Sequence, residues 1–323
     1  MAGKNFSHDC SLEMLADDST GPGERRLIGP LGVTEVRVKT DAGIQAGDAL
    51  VNGTRLYYEA AGAGTPVVFI HGNMADRRHW DDQFLVFAGK HRVIRYDVRG
   101  FGKSAVPSSG HPYAHHQDAA ALLRYLRVAS AHIIGLSMGA GIAADFVLTH
   151  LEMSRSLVSV GPWVVGYDSP AARELFEAFK RVAAALQRGG SAAAIDEFVV
   201  GLLEGSIRDP AVAERLCQLG ADYSFWHLCH TDPGETQVSA ETGKTGSLAA
   251  QRTAEIRVPT LIVTAEHDYP ACREIAGLLE RTVAGARKVV MPGAGHIINM
   301  ERPAEFNRIV LDFLAQVDCG SNA

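Results

Sequence analysis

The run His132-Ile133-Ile134-Gly135-Leu136-Ser137-Met138-Gly139-Ala140-Gly141 constrains this chain more than any other stretch. Ile133 and Ile134 predict a short buried strand, and Gly135-Leu136-Ser137-Met138-Gly139 fits the G-x-S-x-G pattern of a serine set on a sharp strand-to-helix turn. Such a turn strains the serine backbone, and it closes only if the residues two before and two after are small. Gly135 and Gly139 meet that demand. Ile142, Phe146 and Val147 follow at helical spacing. Ser137 is therefore expected at a helix N-terminus, where backbone N–H groups and the helix dipole favour an adjacent oxyanion. The same pentapeptide also describes an ordinary glycine-rich turn, so its surroundings decide.

Those surroundings alternate between strand and helix patterns. Val36 and Val38 begin an alternating run, Asn52-Gly53 marks a hairpin turn, and Leu56 to Glu59 reads as the returning strand. Pro66-Val67-Val68-Phe69-Ile70 is a continuous apolar run, the mark of a strand buried on both faces. It ends in His71-Gly72-Asn73-Met74, where the glycine lets the chain turn sharply and aims the Asn73 N–H toward the carboxyl end of the sheet. Together with the N–H of Met138 it forms a candidate oxyanion hole. Val93 to Tyr96 is the next strand. The loop Asp97-Val98-Arg99-Gly100-Phe101-Gly102-Lys103-Ser104 lacks the G-x-x-x-x-G-K-[ST] of a phosphate loop, and Asp97 and Arg99 are expected to tie it down by hydrogen bonds. A helix over 118–126 leads into the serine strand, and 157–160 is the strand after the next helix.

From 162 to 255 the alternation gives way to helices. Leu175, Phe176, Phe179, Val182, Ala183 and Leu186 lie on one stripe, and Ile195, Phe198, Val199, Leu202 and Leu203 on a second. This block reads as a helical cap over 162–255, inserted into an α/β core over 34–161 and 256–318, with a flexible N-terminal extension over 1–33. The block is rich in aromatic residues, and Trp163, Phe179 and Trp226 are its candidate substrate-binding side chains. Alternation resumes with Thr260 to Val263, followed by Glu266-His267-Asp268, and with Lys288 to Met291, followed by Gly293-Ala294-Gly295-His296. Phe306, Ile309, Val310, Phe313, Leu314 and Val317 form a closing helix started by Pro303.

A serine at neutral pH needs a base to become a nucleophile, and the base needs a carboxylate to orient it. Asp268 and His296 both follow strand runs, and the order Ser137, Asp268, His296 suits a serine set on an elbow. Glu266 and Asp168 are the alternative acids, with Asp168 read as a surface or helix-cap group. His227 and His230 share a helical face beside Cys229, but no third ligand stands at regular spacing. Packing is their expected role, and no metal site is assigned.

The length of 323 residues allows one large core with an insertion. With 31 basic and 37 acidic residues the net charge is −6, which argues against nucleic acid as a partner. Arg77 and Arg78 sit among Asp76, Asp81 and Asp82 and read as a solvated helix start. The five cysteines are odd in number and scattered, which fits a reduced interior. With neither a signal peptide nor a spanning run in the pattern, a cytoplasmic enzyme acting on a small molecule away from membranes is expected, and a homodimer stays open.

Taken together, His71-Gly72-Asn73, Asp97-x-Arg99-Gly100-x-Gly102-x-Ser104, Gly135-x-Ser137-x-Gly139, Asp268 and Gly295-His296 resemble the α/β-hydrolase family over roughly residues 50 to 317. The resemblance implies a mostly parallel eight-stranded sheet with helices on both faces, a helical cap between the sixth and seventh strands, and no cofactor. Ser137 stands where the similar haloalkane dehalogenases and epoxide hydrolases carry Asp. The implied chemistry is hydrolysis of an ester or lactone of a small apolar substrate through an acyl-enzyme. Carbon–carbon bond hydrolases and cofactor-free haloperoxidases share the triad, and some relatives use the same pocket as a small-molecule receptor. Residues 1–45 depart from the pattern and carry no functional reading.

Overall fold

Apolar runs of four to six residues can be buried on both faces only inside a sheet that helices cover from above and below. The computed structural model describes residues 38–39, 43–107, 113–202, 207, 209–230 and 249–320. All of these belong to Val36–Ala323, one of the two units into which the chain divides. The extension expected over 1–33 lies outside the described residues. The strands are β1 (Val38–Lys39), β2 (Gln45–Val51), β3 (Thr54–Ala61), β4 (Pro66–Ile70), β5 (Arg92–Tyr96), β6 (Ala131–Leu136), β7 (Ser154–Val160), β8 (Thr260–Ala265) and β9 (Arg287–Met291). They form one sheet in the order β1-β2-β3-β5-β4-β6-β7-β8-β9. The pairs from β1 to β5 are antiparallel, and every pair from β5 through β4 to β9 is parallel. The two-residue β1 adds an edge to the eight strands expected. The hairpin turns at Asn52 and Gly53, with φ of 48° and 69°, as a two-residue turn between twisted strands requires. Its first strand is β2 rather than the stretch around Val36 and Val38. The composition of β2, Gln-Ala-Gly-Asp-Ala-Leu-Val, carries too little apolar alternation to be read locally.

The helices are α1 (Asp81–Ala88), α2 (His115–Tyr125), α3 (Met138–Thr149), α4 (Pro170–Asp196), α5 (Pro210–Ala221), α6 (Trp226–His230), α7 (Ala249–Arg252), α8 (Pro270–Thr282), α9 (Ile298–Glu301) and α10 (Pro303–Gly320). Side chains alternate across a strand, so Val67, Phe69 and Ile134 face one layer while Val68, Ile70 and Ile133 face the other. The first layer takes Phe84 and Phe87 of α1 and Phe306, Val310 and Leu314 of α10. The second takes Leu122 of α2, Phe146 of α3 and Ile275 of α8. Between β7 and β8 the described residues form helices only. Of the two apolar stripes expected there, Leu175 to Leu186 and Ile195 belong to one long α4, Phe198, Val199 and Leu202 belong to the π-helical turn after it, and Leu203 lies outside the described residues; Gly190, at φ 70°, breaks the helix between the stripes. No helix among the described residues is long and apolar enough to cross a membrane.

Arg77 is not the solvated residue that its acidic neighbours suggested. It is buried, with Nε on Glu59 at 2.7 Å and Nη1 on Asp97 at 3.0 Å. Antiparallel pairing of β3 with β5 sets Glu59 opposite Arg95, and Arg95 takes the other Glu59 oxygen at 2.7 Å. Charges from three separate segments thereby satisfy one another, which a local reading of Asp76 to Asp82 cannot show.

Candidate active site

The chain leaves β4 for β5 on one side and β6 for β7 on the other, so a crevice opens at the carboxyl ends of β4 and β6. Ser137 stands there, between β6 and α3, with φ 55° and ψ −115°. Such a backbone costs on the order of 1 to 3 kcal/mol and persists only where the surroundings hold it. Here the Ser137 N–H donates to the Val160 carbonyl at 2.9 Å, and its own carbonyl accepts from Ala140 N–H at 2.9 Å to open α3. The flanking glycines are required by contact. A Cβ on Gly135 would lie 2.0 Å from the Gly139 carbonyl oxygen, and one on Gly139 would lie 2.2 Å from that of Ile70.

The structure brings Asp268 and His296 together across 28 residues. His296 Nδ1–H donates to Asp268 Oδ1 at 2.6 Å, Tyr269 N–H donates to the same oxygen at 2.8 Å, and Thr264 Oγ1 donates to Oδ2 at 3.1 Å. A carboxylate cannot donate, so the imidazole proton is assigned to Nδ1 and Nε2 keeps its lone pair. The His296 ring lies against Gly161, where a Cβ would come within 2.9 Å of Cε1 and 3.0 Å of Nδ1. Gly161 directly follows Val160, the residue that holds the Ser137 N–H, so the end of β7 supports both the serine turn and the imidazole. Neither rival acid reaches His296. Glu266 is exposed and accepts from Gly293 N–H, while exposed Asp168 pairs with Arg173 at 2.6 Å.

After β4, His71 is fully buried, donates from Nδ1 to the Gly72 carbonyl at 2.8 Å and accepts the Val98 N–H on Nε2 at 2.9 Å. Burial lowers its pKa and keeps it neutral, which that acceptor role requires. The bond pins the loop after β5 to the turn after β4. Gly72 N–H in turn donates to His79 Nδ1 at 3.3 Å, and burial, reinforced by His71 and His296, pushes His79 down to about 3. The Asn73 side chain folds back to accept the Met74 N–H at 2.8 Å. The backbone N–H groups of Asn73 and of Met138, the first residue of α3, take part in none of these bonds.

Trp163 is buried edge-on against Phe176 at 5.4 Å, Phe179 lies 6.2 Å from Phe198, and half-buried Trp226 packs edge-on against His227 at 5.2 Å. These ring contacts stay within the helical block and do not reach Ser137 or His296. His227 docks the block onto the core: Nε2 bonds the Arg99 carbonyl at 3.0 Å, and the ring stacks on Phe101 at 4.8 Å. Gly100 makes that approach feasible, since a Cβ there would sit 2.5 Å from His227 Nε2. The side chains of Cys229 and His230 lie outside the described residues. Sequence reasoning missed Gly161 and Thr264. The serine turn and the β7–β8 pairing bring them to the site, and neither carries a local motif.

In a sheet covered on both faces, this placement at the strand ends defines an enzyme of the α/β hydrolase class. The chain belongs to the alpha/beta hydrolase family, which matches residues 67–309. A non-heme haloperoxidase of Rhodococcus erythropolis is 29% identical over 281 residues, 81% of this chain and 97% of that protein. The enol-lactonase of Burkholderia xenovorans LB400 superposes with a TM-score of 0.65 at 27% identity, covering 83% of this chain and 99% of its own. A thermophilic esterase of Thermogutta terrifontis does so with a TM-score of 0.65 at 26% identity, covering 88% and 99%.

Proposed function

We propose that this hydrolase cleaves an ester or lactone of a small apolar substrate through an acyl-enzyme formed on Ser137. The observation that carries the reading is the 2.6 Å bond from His296 Nδ1–H to Asp268, which leaves Nε2 as a proton acceptor beside a strained serine turn. Ser137 Oγ attacks the carbonyl carbon as its proton passes to Nε2, and the N–H groups of Asn73 and Met138 hold the oxyanion, each worth about 2.7 to 4 kcal/mol to the transition state. The tetrahedral adduct collapses, the alkoxide leaves with the proton from Nε2, and an acyl-serine remains. Water then gives its proton to Nε2 and attacks, and the acid departs as Ser137 recovers its proton. In a lactone both products stay in one molecule.

Similarity to an enol-lactonase and an esterase supports carbon–oxygen cleavage. Similarity to the non-heme haloperoxidase of Rhodococcus supports a second reading of this site, so halide with peroxide belongs among the substrates tested. The described helices between β7 and β8 belong to a cap over 162–255 that sets substrate size through Trp163, Phe179 and Trp226. A panel of p-nitrophenyl esters of increasing chain length, run beside lactones, tests the reading. Ser137→Ala should lose turnover and labelling by a phosphonate, and full activity in that variant refutes the acyl-enzyme. Trp226→Ala and Phe179→Ala should shift the preferred chain length by ratios worth about 1 to 3 kcal/mol per methylene. Unchanged ratios place the pocket elsewhere.

A further inference from the structure

Cys272 stands four residues after Asp268, in the first turn of α8, and is buried against the Asp268–His296 pair. One ligand atom from each of Asp268, Cys272 and His296 lies within 4.8 Å of the other two, and all three residues are buried. A carboxylate oxygen, a sulfur and an imidazole nitrogen make a mixed set that suits a borderline-soft ion such as Zn2+ or Cd2+, whereas Mg2+ and Ca2+ take oxygen ligands. Burial and the nearby carboxylate push the thiol well above its ordinary range. It is therefore a poor target for alkylating or oxidising reagents, which need a thiolate. A divalent ion supplies the charge that displaces the proton.

We propose that this triangle is an inhibitory site for a thiophilic divalent cation of the zinc type. The ion accepts the lone pair of His296 Nδ1, a carboxylate oxygen of Asp268 and the sulfur of Cys272. Cys272 releases its proton to solvent, and the imidazole proton moves from Nδ1 to Nε2. The carboxylate and the thiolate then balance the two charges of the ion. Two ligands bonded at about 2.0 Å to a tetrahedral ion are about 3.3 Å apart. The present Nδ1 to Oδ1 separation is 2.6 Å, so the ion and the Asp268–His296 hydrogen bond exclude one another. The consequence lies in the tautomer: Nε2–H cannot accept the Ser137 proton, and the base is switched off without loss of any side chain. Because all three ligands are buried, the ion enters through a local opening and inhibition develops with time.

This inference rests on His296 acting as the base, and the test separates the two. Cd2+ alone is added to the Ser137→Ala protein, which needs no activity to report binding. One equivalent should raise the ultraviolet thiolate-to-cadmium charge-transfer band, and the Ser137→Ala, Cys272→Ala double variant should lack it. In the wild-type protein Zn2+ should inhibit ester hydrolysis progressively. Compared with its own metal-free rate, Cys272→Ala should need at least about tenfold more Zn2+ than wild type for the same fractional inhibition. Equal zinc sensitivity of the two proteins, or equal bands with and without Cys272, overturns the proposal. A Ser137→Ala protein that still hydrolyses esters refutes the triad while its band supports the metal site. An inactive Ser137→Ala protein with no band refutes the metal site alone.

Discussion

Gly161→Ala separates the cost of backbone strain from the cost of moving the imidazole. Gly161 sits at φ 48°, a conformation that costs a residue with a Cβ about 1 to 2 kcal/mol. At about 2 to 4 °C per kcal/mol for a domain approaching this size, the melting temperature should fall by several degrees and leave the protein folded at 25 °C. The new methyl would also stand 2.9 Å from His296 Cε1, where ordinary contact begins at 3.4 Å, so the ring must yield by about 0.5 Å. A misplacement of about 1 Å can cost about a hundredfold in rate, so half of that predicts about a tenfold loss in kcat, or about 1.4 kcal/mol of barrier. Gly285→Ala is the control, with φ 72° and nothing within 4 Å of its Cβ. Both variants should melt earlier by similar amounts in a thermal scan. Only Gly161→Ala should lose activity in initial rates with a p-nitrophenyl ester. If the two variants have the same kcat, contact between Gly161 and the His296 ring has no part in catalysis.

Asp268→Asn should lower kcat by about four orders of magnitude through loss of imidazole orientation, whereas Asp168→Asn, which only disturbs an exposed pair with Arg173, should leave steady-state rates unchanged; the reverse ranking reassigns the acid. Arg99→Ala strands the buried Asp118 carboxylate that it holds at 2.6 and 2.8 Å, and urea titration should show a loss of about 3 to 5 kcal/mol, while a loss below 1 kcal/mol would deny the bridge any structural weight. Burial pushes His132 down to about 4 despite the pull of Asp318, so the unfolded chain takes up a proton near pH 6.5 that the folded one refuses until about 4. Stability should therefore fall as pH drops through that window, and urea midpoints for His132→Gln should fall less steeply than wild type. Parallel curves would assign the acid sensitivity to other groups.

Ser137, Asp268 and His296 were legible because each stands just beyond an apolar strand run, and because the order and the small flanking residues of an elbow follow from covalent geometry. The same logic located the core strands and the helices that cover them. The partners that hold those residues in place were not legible. Thr264 reaches Asp268 through the end of β8, and Gly161 meets His296 because β7 pairs with β8 in a register that sets Val160 beside Val263. Arg77 looked solvated among its neighbours until β3 and β5 brought Glu59 and Arg95 beneath it. His227 bonds the Arg99 carbonyl because Gly100, more than a hundred residues away in the chain, presents a bare backbone there, a contact that no local pattern around His227 announces. Local periodicity and turn chemistry act over a few residues and can be read from the chain. Which buried polar groups satisfy one another is settled only when the sheet assembles and water is excluded.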